Sequence, residues 1–361
     1  MRDRLLWLDL IRAVSAQLIV LHHLALYGPI PERLLELAPD AIAWLREYAR
    51  IAVQVFLVMS GFLLARSLRL DRALAASAVW AGIGRRYVRL FVPFAAALGL
   101  AVLAAWPARR WISADWVPAA PDGAVLLTHA LGLYDYLGID ALTAGAWYVS
   151  IDLQLHALML LIVWAAGRIG RDPAGRWRAL VLIVAGLAAL SLWWLNRDSA
   201  WDVTPLYFFG SFTMGMASAW LGADDPEWSV RRLAGGALIV LALFALLFDY
   251  RLRIAVSVSA ALVLGGLASS GLGARFDKVL TEARLMRPFA RVLVFLGDTA
   301  YALFLVHFPV CLLMNALYHR FYAGSVVAAL AGFALAWGLS LPLAALLHRF
   351  VEIPLQRRSR G

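Results

Sequence analysis

The sequence predicts an all-α fold, a polytopic integral membrane helical bundle of about ten transmembrane helices, with both termini cytoplasmic and residues 1–361 forming a single membrane domain. Three observations predict it. Of the 361 residues, 63% are hydrophobic and only 16% charged, whereas soluble domains carry about 25% charged residues. The mean hydropathy is +0.77. The apolar residues gather in runs of about 20, the length at which a helix crosses a bilayer. Together these exclude disorder, a fibre and an ordinary soluble enzyme.

Ten runs qualify, at 7–27, 48–65, 88–106, 147–167, 179–196, 203–222, 233–249, 254–272, 292–318 and 325–347. The first follows a basic start that looks like a signal peptide. Asp9, Arg12, His22 and His23 interrupt its apolar stretch, and no small-residue cleavage site follows, so it reads as a retained span. The least apolar run is 203–222, which contains Pro205, and only 249–253 separates the seventh run from the eighth. The longest loop, 107–146, holds Pro107, Pro118 and Pro121, and its middle, Val125 to Leu137, reads as a short helix lying on or dipping into the bilayer.

The net charge of +10 comes from 33 Lys and Arg against 23 Asp and Glu. With the N terminus inside, the inner segments carry 23 of the basic residues and the outer ones nine, the asymmetry that orients membrane proteins. This accounts for the charge without a nucleic-acid partner, for which the chain has no soluble basic domain. The single cysteine, Cys311, excludes an intramolecular disulfide framework and a cysteine zinc site. It lies in an apolar run and reads as a small core residue. No metal site is expected, since no His-Glu-x-x-His pattern occurs. Ser60-Gly61-Phe62 reads as helix packing.

Ionisable residues inside spans are costly and normally face the bundle interior or a cavity. Arg12 and His23 are eleven residues apart, so they share one face of the first span and are separated by about 16 Å. His22 points to another face, and Asp9 can pair with Arg12. Arg85, Arg86 and Arg89 cluster at the inner end of the third span, where guanidinium forks suit a polyphosphate or serve as a membrane-edge anchor. Asp152 and His156 lie at i and i+4 in the fourth span, a carboxylate one turn from an imidazole. Tyr301 and His307 precede Pro309, which interrupts the ninth span, and Glu352 precedes the basic tail.

In this order the motifs resemble those of the bacterial acyltransferase 3 family. Arg12 and His23 are similar to its Arg, ten residues, His signature, and Val53 to Leu63 resembles its second-helix motif. Arg85-Arg86-Tyr87-Val88-Arg89 resembles its Arg-Arg-x-x-Arg motif, and Trp147 to His156 its Trp-Ser-Leu-x-x-Glu-x-x-Phe-Tyr pattern. Leu296 to Pro309 and Glu352-Ile353-Pro354 are similar to its closing motifs. Asp152 stands where the family usually has Glu, His156 where it has Tyr, Tyr148 where it has Ser, and Val306 where an aromatic residue precedes the histidine. The extra soluble hydrolase-like domain that some members append has no counterpart here.

The resemblance implies a multi-pass enzyme of the bacterial cytoplasmic (inner) membrane. It implies transfer of an acyl group, commonly acetyl, from cytoplasmic acyl-CoA to a hydroxyl of a carbohydrate, a lipid-linked glycan or a glycosylated small molecule, as in O-acetylation of polysaccharides. No permanently bound cofactor is expected; acyl-CoA (acetyl-CoA the expected one) is the donor substrate, and membrane lipid is the other partner. Arg85, Arg86 and Arg89 are implied to bind the phosphates of the donor. His23 is implied to act as general base or to carry the acyl group, with Arg12 and Asp9 as its catalytic companions. Asp152, His156, Tyr301, His307 and Glu352 are the supporting or acceptor-side candidates. Two other readings compete: a proton-coupled transporter or flippase, which also uses intramembrane Arg, Asp and His, and a noncatalytic scaffold or sensor. Consumption of thioester by the purified protein separates the first reading from both.

Overall fold

The computed structural model describes residues 4–68, 70–222 and 228–358. It is 84% helical, with no strand among the described residues. The helices in chain order are α1 (Leu6–Leu26), α2 (Pro29–Leu35), α3 (Pro39–Glu47), α4 (Val53–Ser67), α5 (Ala76–Trp111), α6 (Gly123–Leu131), α7 (Ala146–Ile169), α8 (Pro173–Trp193), α9 (Pro205–Leu221), α10 (Trp228–Phe248), α11 (Leu252–Ser269), α12 (Leu272–Glu282), α13 (Arg287–Phe321), α14 (Val326–Leu347) and α15 (Ile353–Arg358). One π-helical turn, His348–Glu352, joins the last two. Nine helical stretches among the described residues are long and apolar enough to cross a membrane. The protein is therefore a polytopic helical bundle. The extreme ends, to which the cytoplasmic expectation refers, lie outside the described residues, as do Arg2, Arg69 and Arg360 of the basic count.

The chain divides into two compact, interleaved units. The first holds the start of α1 to Leu8, Val53–Arg86 and Ile151–Arg291; the second holds Asp9–Ala52, Tyr87–Ser150 and the chain from Val292 onward.

In the first unit α9 is the hub, packed against α4, α8, α10 and α11. This is the run expected to span at 203–222. Its 17 residues rise about 25 Å, less than the hydrocarbon thickness of about 30 Å. Nearly all of it is buried, and it is apolar all round, as a helix surrounded by helices should be. The contact with α4 is backbone against backbone. A Cβ on Gly61 would lie 1.9 Å from the Phe212 carbonyl oxygen, and one on Gly215 1.8 Å from that of Val58. Only glycine permits so close a crossing, so the packing role read for Gly61 holds. Buried Asn196 ties α9 to α11: its Nδ2 donates to the Tyr207 carbonyl on α9, and its Oδ1 accepts from Arg251 and Arg253 at the start of α11.

In the second unit α13 runs unbroken for 35 residues, straight through Pro309. The expected interruption is absent: the helix continues through Pro309, as spanning helices tolerate a proline where neighbouring groups re-satisfy the freed carbonyl. The Tyr301 hydroxyl donates to the Leu90 carbonyl at 2.8 Å, fastening α13 to α5. Asn315 of α13 accepts the Ile30 N–H at 3.0 Å, seating α2, which α14 covers. Cys311 is fully buried, as its apolar run implies. The loop after α5 does contain the expected short helix, α6, capped by the Asp122 side chain. It ends at Gly132 in the left-handed region (φ 67°). Buried His129 then latches the following loop: its Nδ1 donates to the Val125 carbonyl, its Nε2 accepts the Leu142 N–H at 3.1 Å, and its ring stacks on Tyr134. Burial holds the His129 pKa below its usual value.

Candidate active site

The second unit brings together the two histidines that the sequence leaves 284 residues apart. His23, in the last turn of α1, and His307, midway along α13, are both buried, and His23 Nδ1 lies 2.8 Å from His307 Nε2. The two rings are nearly parallel, 11° apart. His307 Nδ1 faces the Leu303 carbonyl at 3.2 Å. A carbonyl only accepts, so His307 Nδ1 carries the proton and Nε2 is its acceptor. His23 must then donate from Nδ1. This chain of two bonds leaves the lone pair of His23 on Nε2, the atom that can take a proton or attack a carbon. Tyr27 stacks on the outer side of His23 and makes an edge contact with Phe308.

His22 does a different job, as its place on another helix face requires. Its Nδ1 donates to the Leu45 carbonyl on α3, while Arg46 Nε donates to the carbonyl of Ala25 in the last turn of α1. These bonds fix the end of α1 that carries His23.

Toward the start of α1, Asp9 is buried and pairs with Arg12, Nη1 to Oδ1 at 3.6 Å. Asp9 sits where α13 narrows at Gly297, since a Cβ there would meet the Asp9 Cβ at 2.7 Å. Arg12 is part-exposed and one third of its side chain is accessible. The expected i, i+3 pair therefore forms.

In the first unit, Asp152 on α7 is buried and accepts from three donors. Ser60 Oγ of α4 lies at 2.9 Å, Arg86 Nε at 3.0 Å, and Arg86 Nη2 also bonds the same carboxylate. The carboxylate thus serves Arg86, while His156, one turn along, is half-buried. Charge decides this: a buried carboxylate gains more from a guanidinium fork than from an imidazole. Ser60, read only as packing, belongs to this cluster. Of the three clustered arginines, Arg85 and Arg89 are exposed and one turn apart on α5, and Arg86 is the one held by Asp152. Glu352 in the π-turn is buried and accepts from His348 Nδ1 at 2.6 Å. Tyr301 is engaged with the α5 backbone.

Three relationships had no signal in the sequence: His23 with His307, Ser60 with Asp152, and Asp152 with Arg86. Helical spacing relates neighbours on one helix only. Comparison with known proteins places the chain against one family: the acyltransferase-domain model matches residues 5–348, nearly the whole chain and both units. No curated protein and no solved structure matches.

Proposed function

The chain belongs to the acyltransferase 3 family, and from that membership together with the imidazole pair on α1 and α13 we propose that this membrane acyltransferase moves an acyl group, acetyl in the first instance, from acyl-CoA to a hydroxyl of a carbohydrate or glycosylated acceptor. The observation that carries the chemistry is the tautomer chain Leu303 carbonyl, His307, His23.

The reaction follows from that chain. His23 Nε2 removes the proton of the acceptor hydroxyl as its oxygen attacks the thioester carbonyl carbon. The new C–O bond forms, the C–S bond breaks, and the sulfur leaves as thiolate, which takes the proton back from His23. His307 accepts the His23 Nδ1–H throughout and stabilises the imidazolium that forms in between. Arg12, paired with Asp9, lies about 16 Å down the same helix face, a span that the extended arm of the donor can cover. Arg85, Arg86 and Arg89 hold the donor phosphates from the inner end of α5, Arg86 from a position set by Asp152 and Ser60. Guanidinium forks match phosphate oxygens two at a time. The organism-level setting is the bacterial inner membrane, with a surface or lipid-linked glycan as acceptor.

Purified protein supplied with acetyl-CoA and a panel of glycan acceptors tests this. Thioester consumption and ester formation should rise together in wild type and fall about 10²–10⁴-fold in His23→Ala, the usual contribution of a general base. Transport of an unmodified glycan without thioester consumption would overturn the reading.

A further inference from the structure

The segment that joins α11 to α13 lies in the first unit. Gly271, in the left-handed region at φ 72°, turns the chain sharply out of α11 into α12. With 11 residues, α12 is about 16 Å long, far short of a bilayer, and it packs against α11. Its inner face is seated: Leu280 and Gly273 are buried, and the Asp277 carboxylate accepts the backbone N–H of Trp7 at 3.1 Å. A Cβ at Gly273 would fall 2.7 Å from Trp7 Nε1. Asp277 therefore caps the free N–H end of α1, the helix that carries Asp9, Arg12 and His23.

The outer face is apolar and cationic at once. Leu272 and Val279, seven residues apart, are both more than half exposed, and Leu285 is 88% exposed. Arg275 and Lys278 stand beside the first two, and Arg284 and Arg287 bracket the third, all exposed; one exposed carboxylate, Glu282, lies 3.9 Å from Lys278, so the four cations keep a net positive charge. Apolar side chains with basic neighbours on a helix parallel to the surface are the pattern of an interfacial helix, whose cations meet lipid phosphates while the apolar edge enters the acyl boundary.

We propose that α12 and the turn after it form a binding site for anionic phospholipid headgroups, recognised through Arg275, Lys278, Arg284 and Arg287. Charge complementarity selects the occupant: a zwitterionic headgroup offers no net charge to four cations, and an anionic one does. Through Asp277, occupancy steadies the first turn of α1. This holds whatever the acyl acceptor is, and stands apart from the transfer chemistry.

The test is native mass spectrometry of the full chain released from nanodiscs of phosphatidylcholine and phosphatidylglycerol in equal parts. Wild type should retain phosphatidylglycerol over phosphatidylcholine. Each cation near an anionic surface is worth about fivefold in affinity, so Arg275→Gln with Lys278→Gln should cut that preference at least about tenfold. Arg275→Lys with Arg284→Lys should keep it, because charge rather than fork geometry is used. Hydrogen exchange at Trp7 should quicken in the charge-removed protein and not in the charge-kept one. Equal retention of both lipids by wild type, or unchanged preference after the charges are removed, would overturn the proposal. Loss of preference only on changing Arg171 and Arg178 would place the lipid elsewhere and overturn it equally.

Discussion

His23 donates from Nδ1 to His307 Nε2 across 2.8 Å, and His307 in turn is fixed by the Leu303 carbonyl. The orientation of one imidazole is thus set by a backbone atom two bonds away. If His307 works by fixing that tautomer, an isosteric acceptor should replace it in part. His307→Gln keeps an oxygen that accepts from His23 and should stay within about tenfold of wild-type turnover, whereas His307→Phe should lose on the order of 10²-fold, the scale of a small misplacement at the reacting centre. Donor affinity should hold in both. Equal turnover of the two variants would remove His307 from the mechanism.

His23→Ala and His22→Ala should separate cleanly. The first should cut transfer about 10²–10⁴-fold at full donor occupancy. The second removes a bond to the Leu45 carbonyl and should lower thermal stability with a much smaller loss of rate. Acyl transfer by detergent-purified variants, read beside their melting curves, decides. Rapid quenching adds one distinction: an acylated protein that forms in wild type and vanishes in His23→Ala would mean the imidazole carries the acyl group instead of only moving a proton.

The Arg86–Asp152 pair predicts a split among the arginines. Asp152→Ala removes the buried carboxylate that accepts from Arg86 and Ser60, and breaking such a buried pair costs about 3–5 kcal/mol, so the protein should lose stability first. Arg85→Ala and Arg89→Ala leave that cluster intact and should weaken acyl-CoA binding with little change in melting temperature. Arg89→Lys should weaken it too, since the point charge lacks the planar fork. Isothermal titration with a non-transferable acyl-CoA analogue reads the affinities. Unchanged affinity in all three arginine variants would end the donor-site assignment.

Gly61→Ala and Gly215→Ala should each be severe. The added methyl meets backbone oxygen at under 2 Å in both, and ordinary overpacking already costs about 1–3 kcal/mol. Here no side chain can swing aside, so α4 and α9 must separate. Melting temperature in detergent should drop by several degrees for either; wild-type stability in both would contradict the close crossing.

The His129 latch carries a pH signature. Burial lowers its pKa, so the neutral ring is the folded form and its Nε2 needs its lone pair to accept from Leu142. The stabilisation is complete above the unfolded histidine value near 6.5 and is lost progressively as pH falls toward the lowered folded value. Hydrogen exchange in residues 132–143 should therefore speed up on acidification from pH 7 to 5. A His129→Phe protein should exchange fast at every pH, and a flat wild-type profile would contradict the latch.

The helices themselves were legible, because runs of 20 apolar residues have few other fates. The first run maps onto α1, the last onto α14, and the separate seventh and eighth onto α10 and α11, within a few residues. The run at 203–222 was legible as helix but not as the buried hub, since burial against other helices and burial in lipid select the same apolar residues. Pro309 looked like a break because propensity sees only its missing N–H. On the site, the pairing of Asp9 with Arg12 could be read from i, i+3 spacing. The destinations of Asp152 and His307 could not. Each is decided by a partner on another helix, and periodicity along one helix does not reveal which helices meet.

The separation of 284 positions between His23 and His307 also sets the order in which the pair can form. α1 is made early in synthesis, and α13 near the end. Until then the Nδ1 proton of His23 lacks its acceptor on α13, so a ribosome-bound or prematurely terminated chain has no aligned imidazole pair. If that pair is the base of the proposed transfer, competence arrives in one late step of membrane insertion.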